Sequence, residues 1–313
     1  MISRIILTII VGLTLSTLAY AANVTSCGTI NESTLLVSDI NTTGTCFTIN
    51  ASNIVLDGNG FTLLGNNSLT FIGVLNPGFS NVTIKNMIIV NTSQGIVILS
   101  PSSNTTTIFN NTINTTNAAS LNGDGVPIII NNSTNNNISG NRLSTSGSSA
   151  QGTIFVFNAT NNTFANNIVT TSGSDAVTLL FVFNAGDNNV TGNTLSATGQ
   201  GISMQSVSQR LRITSNNITS GGNGINIEGA SSNHTILSNT INTNGSSAVG
   251  FRVSESNNSF YQSNNIQTIQ NLSEGFGIES GSSFNTIMSN TITTFDFDSH
   301  GIEMGTSQTA TDS

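Results

Sequence analysis

From about residue 80 to 305, apolar and polar positions follow one recurring order. An Asn-x-apolar step leads into a polar stretch, then Gly or Ala and an apolar-x-apolar piece. A further polar stretch ending in an apolar residue completes the unit. Each apolar piece has three to five residues, alternates with period two and draws on Ile, Val, Thr and Phe, as in Gly95-Ile96-Val97-Ile98 and Asn81-Val82-Thr83-Ile84. β-Branched and aromatic residues at that period specify short, half-buried strands, and nothing after the N-terminal leader keeps a 3.6-residue period for three turns. The pattern predicts an all-β chain.

The recurring Asn falls at Asn86, Asn111, Asn141, Asn166, Asn193, Asn216, Asn239, Asn264 and Asn290, with spacings of 25, 30, 25, 27, 23, 23, 25 and 26. Three short strands in about 25 residues describe one coil of a single-stranded parallel β-helix, a solenoid. One coil cannot bury its inward Ile and Val alone, but coils stacked about 4.8 Å apart share a continuous core. The chain after its leader then forms about 11–12 coils, a rod on the order of 50 Å long. A residue at one corner of successive coils stacks on its own kind. An Asn amide both donates and accepts, so the nine asparagines are expected to form a structural column. Glycines preceding Ile are expected at sharp corners with positive φ. The longer spacings place insertions near Leu121–Gly125 and Gly173–Ala176.

The segment Cys27 to Gly65 breaks the repeat. Asn53-Ile54-Val55-Leu56 and Phe61-Thr62-Leu63 read as two strands joined by a tight Asp57-Gly58-Asn59-Gly60 turn. Three regions follow: a signal peptide over 1–22, an N-terminal cap and first coil over 23–65, and β-helix repeats over 66–313. Arg4, the apolar run Ile5 to Leu18 and the small-x-small site Ala19-Tyr20-Ala21 carry the signal-peptide reading; an N-terminal membrane anchor is the alternative. That run is short for a bilayer span of roughly 20 residues, and no second one follows. Cys27 and Cys46, an even count in an exported chain, read as a disulfide that shields the open end of the coil stack; a two-Cys metal site is the rival.

Composition sharpens the picture. Only 6% of the 313 residues are charged, while 48 are Asn. Six basic and 14 acidic residues give a net charge of −8, which excludes an electrostatic footprint for nucleic acid or anionic lipid. A mean hydropathy of +0.09 separates the chain from disordered sequences. About twenty Asn-x-Ser/Thr sites, among them Asn23, Asn41, Asn81, Asn104, Asn189 and Asn257, are glycan acceptors if the host can use them.

The stretch Gly44-Thr45-Cys46-Phe47-x-Ile49, then Asn53-x-x-Leu56-Asp57-Gly58-Asn59-Gly60 and the Asn-x-Ile coils, resembles the right-handed parallel β-helix proteins of the pectate-lyase-like superfamily, in particular secreted NosD-like or CASH-type proteins. The resemblance covers nearly the whole chain after the leader and implies a right-handed solenoid, exported to the cell surface or beyond. It does not choose an activity, since the superfamily holds lyases, epimerases, hydrolases, adhesins and a copper-site maturation protein.

Chemistry-bearing residues are sparse. His234 and His300 stand apart, Met204 and Met304 fall at inward positions, and Lys85 is the only lysine. Asp124, Asp175 and Asp187 lie in or beside turns; Arg210 and Arg212 flank Leu211 and point outward together. The densest group lies in the last coils. Aligning Gly250, Gly277 and Gly301 with their following Ile or Phe puts Gly250, Glu279 and Glu303 in one outward column, with Arg252 diagonal to Glu279 and Asp296, Asp298 and His300 in the adjoining turn. Two stacked carboxylates about 5 Å apart can hold Ca²⁺ or share a proton.

Two functional readings follow. One is a non-catalytic secreted or cell-surface β-helix, structural or bound to cell-envelope or extracellular polysaccharide, with neither cofactor nor catalytic group. The other is a polysaccharide lyase, epimerase or hydrolase acting on an acidic glycan through Arg252, Glu279, Glu303, Asp298 and His300, with Ca²⁺ at Glu279 and Glu303. Neither involves nucleic acid or a transmembrane segment in the mature chain. Aromatic stacking platforms for sugar look scarce, with Phe at 16, Tyr at two and no Trp.

Overall fold

The computed structural model describes residues 21–66, 71–99, 105–116, 125–147, 152–173, 176–279 and 281–305. Their strands, all parallel, form three long sheets of 12, 12 and 11 strands. The chain visits the sheets in turn and returns to each one coil further on, as a β-helix requires. The first sheet begins with Ala22–Val24, the second with Gly28–Ile30 and the third with Ile40–Asn41. Residues 1–20 of the expected leader lie outside the described residues, as do Leu121, Asp124 and Asp175 of the expected insertions, while Ala22 opens the first strand and pairs with Thr34.

Inward residues stack in register. The third sheet runs Leu63, Ile89, Ile113, Leu143, Val169, Leu195, Ile218, Ile241 and Ile266, each at most 1% exposed. In the second sheet Phe251 and Phe276 stack with centroids 4.7 Å apart and Tyr261 meets both edge-on. In the last described coil the same inward columns reach Ile302 and Met304, which are 47% and 54% exposed because no described coil covers them.

Asn167, not Asn166, continues the buried Asn column. In each rung, one Asn offers its backbone N–H and its side-chain amide to the Oδ1 of the Asn one coil on. The rungs run from Asn111 through Asn141, Asn167, Asn193, Asn216, Asn239 and Asn264 to Asn290. At its start Met87 supplies only a backbone N–H, to Asn111 Oδ1. Asn86 and Asn166 stand one residue earlier, at φ 55° and 54°, in the left-handed corner conformation that Asn tolerates better than other side-chain-bearing residues. Asn86 there bonds Asp57 and Asn110 across neighbouring coils. Asparagine thus has two distinct positions per corner, one buried and one left-handed.

A second buried column runs through Asn136, Asn162 and Asn188. Further along it Leu211 N–H donates to His234 Nδ1 at 3.3 Å, His234 N–H to Ser259 Oγ and Ser259 N–H to Asn285 Oδ1. His234 is therefore a structural rung.

The glycines before Ile do not have positive φ. Crowding requires three of them, Gly95, Gly201 and Gly224: a Cβ on Gly95 would stand 2.4 Å from Pro127 O and 2.5 Å from Ile113 Cγ2, and one on Gly201 2.4 Å from both Gly224 O and Ile218 Cγ2. Ile54–Asp57 and Thr62–Leu64 belong to different sheets, so the Asp-Gly-Asn-Gly segment is a coil corner and not a hairpin turn. Cys27 and Cys46 are joined, Cα–Cα 4.5 Å, just before the paired strands Gly28–Ile30 and Phe47–Ile49, so the disulfide staples two adjacent coils at one corner of the N-terminal end.

Candidate functional site

The outer face of the second sheet carries two columns that change character along the rod. One runs Leu75, Val97, Ile129, Phe155, Leu180, Ser203, Asn226, Arg252, Gly277 and Glu303. The other runs Leu99, Asn131, Phe157, Val182 and Gln205 in register, and backbone bonds carry it on to Glu228, Ser254 and Glu279. The face is apolar and aromatic in the middle coils and charged in the last ones.

At the charged end, Arg252 Nε and Nη2 bond Glu279 Oε1 and Oε2 at 2.6 and 2.8 Å, a bidentate pair across adjacent coils, and Nη1 lies 3.4 Å from both Asn226 Oδ1 and Glu228 Oε2. The expected stack of Glu279 on Glu303 is not present. Gly275 aligns with Gly250 and Gly301, because its Cβ position is filled by Ile292 Cγ2 at 2.3 Å; Gly277 instead pairs with Glu303. Glu279 falls two residues further along, beside Gly305, and Gly250 faces neither glutamate.

The partner of Glu303 is Glu274, which the sequence pattern did not single out. Partial burial raises the Glu274 carboxyl above its ordinary range; its hydrogen bond to Glu303 and the charge there push the same way, against His300. His300 Nδ1 lies 3.6 Å from Glu303 Oε2. Gly277 lies beside this group: a Cβ there would stand at an ordinary contact distance of 3.6 Å from a Glu274 carboxylate oxygen. Asp298 is exposed in the preceding corner at φ 51°. Among the described residues no group of three or more His, Cys, Asp and Glu is disposed to hold a metal ion.

The other charges are corner and sheet pairs. Arg210 makes a bidentate pair with Asp187, both distances 2.7 Å, in the same left-handed corner column; it does not act with Arg212, which lies on the first sheet. Lys85 bonds Asp57 at 3.1 Å, also on the first sheet.

The aromatic end holds a platform that composition concealed. Phe155 and Phe157 project from one strand with centroids 6.3 Å apart, and Phe157 meets Phe183 at 5.1 Å. Phe183 is 51% exposed and has φ 50°. Register places it in a left-handed corner column whose other members include Asn132, Asn158, Ser206 and Gly229, all with positive φ. A bulky side chain in that conformation costs about 1–2 kcal/mol, and Phe183 recovers little of it by burial. The signal in the sequence is a Phe between coils that carry Asn158 and Ser206 at the same corner, but it was read as the continuation of Leu179–Val182.

A model of the right-handed β-helix region matches residues 121–241 and 180–312, more than half of the sequence. The chain belongs to the right-handed β-helix family. Solved structures share its coil stack. This β-helix superimposes on the Dettilon tailspike protein gp208 with a TM-score of 0.59 at 16% identity, over 86% of this chain and 60% of the tailspike's. The A-module of the Azotobacter vinelandii mannuronan C-5 epimerase AlgE6 gives 0.58 at 15% identity, over 89% and 85%. The Streptococcus pneumoniae surface protein and adhesin PfbA gives 0.51 at 12% identity, over 88% and 89%. Likeness at these identities is likeness of fold. No curated protein sequence matches this β-helix.

Proposed function

We propose that the chain is an extracellular β-helix that binds polysaccharide along the outer face of its second sheet, with Phe157 and Phe183 as the stacking platform. The observation that carries this reading is Phe183. It is an exposed aromatic ring at a left-handed corner where the coils on either side carry Asn and Ser, and it packs on a second ring of a long regular face. Surface rings in mutual contact make an apolar surface on which a ligand can stack. Sugar rings present apolar C–H faces that pack on aromatic planes, and the partly exposed Gln205 side chain in the coil beyond the platform supplies a neutral donor and acceptor. The tailspike, epimerase and adhesin neighbours support a polysaccharide ligand, and the Cys27–Cys46 disulfide supports an oxidising, extracytoplasmic location. Among the described residues no helix is long and apolar enough to cross a membrane.

A second reading rests on Glu274 and Glu303. Two neighbouring carboxyls beside His300, one of them raised by partial burial and by its neighbour, have the make-up of a general acid–base pair, which would make the same face a polysaccharide-cleaving site. Affinity electrophoresis through polysaccharide gels tests binding; Phe183→Asn, which restores the corner residue of neighbouring coils, is expected to fold as well as the parent and to lose retardation. Reducing-end and unsaturated-product assays on the same polymers test cleavage. Turnover abolished by Glu274→Gln and by Glu303→Gln would establish the catalytic reading over the binding one. Retardation unchanged in Phe183→Asn would remove the platform.

A further inference from the structure

We infer that the glycan taken by this face is an uncharged one, a polymer of neutral sugars and not a polyuronate; the inference rests on the binding reading above. A carboxylate-bearing glycan is held by Arg or Lys side chains free to pair with it, above all by bidentate guanidinium contacts. Arg252 is the basic residue that the two outward columns of the second sheet carry, and its Nε and Nη2 already engage both oxygens of Glu279, with Glu228 beside Nη1. Glu274 and Glu303 follow within the next coils. Four carboxyl groups against one guanidinium leave that end of the face acidic, on a chain whose net charge is −8.

The other described cations are turned elsewhere. Lys85 and Arg212 lie in strands of the first sheet, Arg142 in the third, and Arg210 is paired with Asp187 at a corner. A polyuronate chain lying along the second sheet would thus bring its carboxylates against Glu228, Glu279 and Glu303 with no cation to receive them, and a like-charge approach both slows encounter and weakens the complex. A neutral chain meets no such penalty. It can use the Phe155–Phe157–Phe183 platform through its C–H faces and the carboxylates as hydrogen-bond acceptors for its hydroxyls.

The test is affinity electrophoresis of the full chain against a neutral set (β-glucan, galactomannan, xylan, arabinogalactan freed of uronate) and a uronate set (polygalacturonate, alginate), each at low and moderate salt and with or without Ca²⁺. Retardation by at least one neutral polymer and by neither uronate is expected. Phe183→Asn should weaken the neutral interaction by about three- to tenfold, the range of one aromatic contact. Retardation by a uronate polymer, with Ca²⁺ or without, overturns the inference and leaves polysaccharide binding standing. No retardation by any polymer of either set overturns the binding reading and this inference with it.

Discussion

Asn239 Oδ1 accepts two hydrogen bonds from Asn216, one from its backbone N–H and one from its side-chain amide, both at 3.0 Å. Asn216 in turn donates to the carbonyls of Val190 and Thr214 and accepts the equivalent pair from Asn193. Each buried amide therefore closes the main chain of its own coil and fastens the coils on either side. The low charge of the sequence follows from this, because a position repeated at the strand spacing would repeat any charge with it.

Asn216→Leu keeps the volume and strands the buried Asn193 backbone N–H, while the Asn193 amide keeps the Phe164 and Thr191 carbonyls and Thr214 O keeps Gly192 N–H. An unpaired buried polar group costs about 1–3 kcal/mol, so a loss of about that size is expected, read from urea midpoints. Asn216→Asp is expected to be worse near neutral pH. It would aim a carboxylate at the Val190 and Thr214 carbonyls and at Asn239 Oδ1. A variant Asp as stable as the parent at pH 7 would refute the donor role of the amide.

The glycine column makes opposite predictions at two of its positions. A Cβ on Gly224 would stand 2.3 Å from Ile241 Cγ2 and 2.7 Å from Gly250 O, whereas one on Gly301 meets nothing within 4 Å. Gly224→Ala should destabilise by about 1–3 kcal/mol through overpacking, and Gly301→Ala should be neutral or slightly stabilising. Thermal melts of the two variants beside the parent decide it; equal effects would mean that coil packing is looser than these distances.

His234 gives the fold an acid-sensitive rung. Burial pushes its pKa down to about 4, with a weaker opposing pull from the Ser231 backbone, and Nδ1 must stay unprotonated to accept from Leu211 N–H. An unfolded histidine titrates near 6.5, so the unfolded chain takes up the proton first as pH falls. The contribution is complete above about pH 6.5, shrinks as pH drops towards 4 and is gone below, about 3 kcal/mol in all. His234→Asn, which matches the column's Asn136, Asn162 and Asn188, should flatten the pH dependence of the urea midpoint between 4 and 6.5. The parent slope persisting in that variant would place the acid sensitivity elsewhere.

Period and composition made the coil stack legible, because a two-residue alternation repeated every 25 or so residues has few other ways to bury its apolar side. Register was harder. In the doublets Asn110-Asn111 and Asn166-Asn167 one amide is buried and the other sits at the left-handed corner, and a pattern of letters does not distinguish the two. A two-residue ambiguity between Gly275 and Gly277 displaced Glu279 and hid Glu274, which the pairing of Phe276 with Ile302 and the close approach of Ile292 to Gly275 resolve. Phe183 escaped notice because Leu179–Phe183 reads as one strand, while the backbone has already turned at Phe183.

The buried rungs join residues only 23 to 30 positions apart in a chain of 313. Each coil closes on its neighbour across one repeat, so once one coil is formed the stack can be extended a coil at a time. Each rung also points the same way, donors on one coil and acceptor on its successor, so a coil needs only the next 25 or so residues to leave the ribosome before it is fastened. The disulfide sits at the end made first, and the molecule can be assembled in the order in which it is translated.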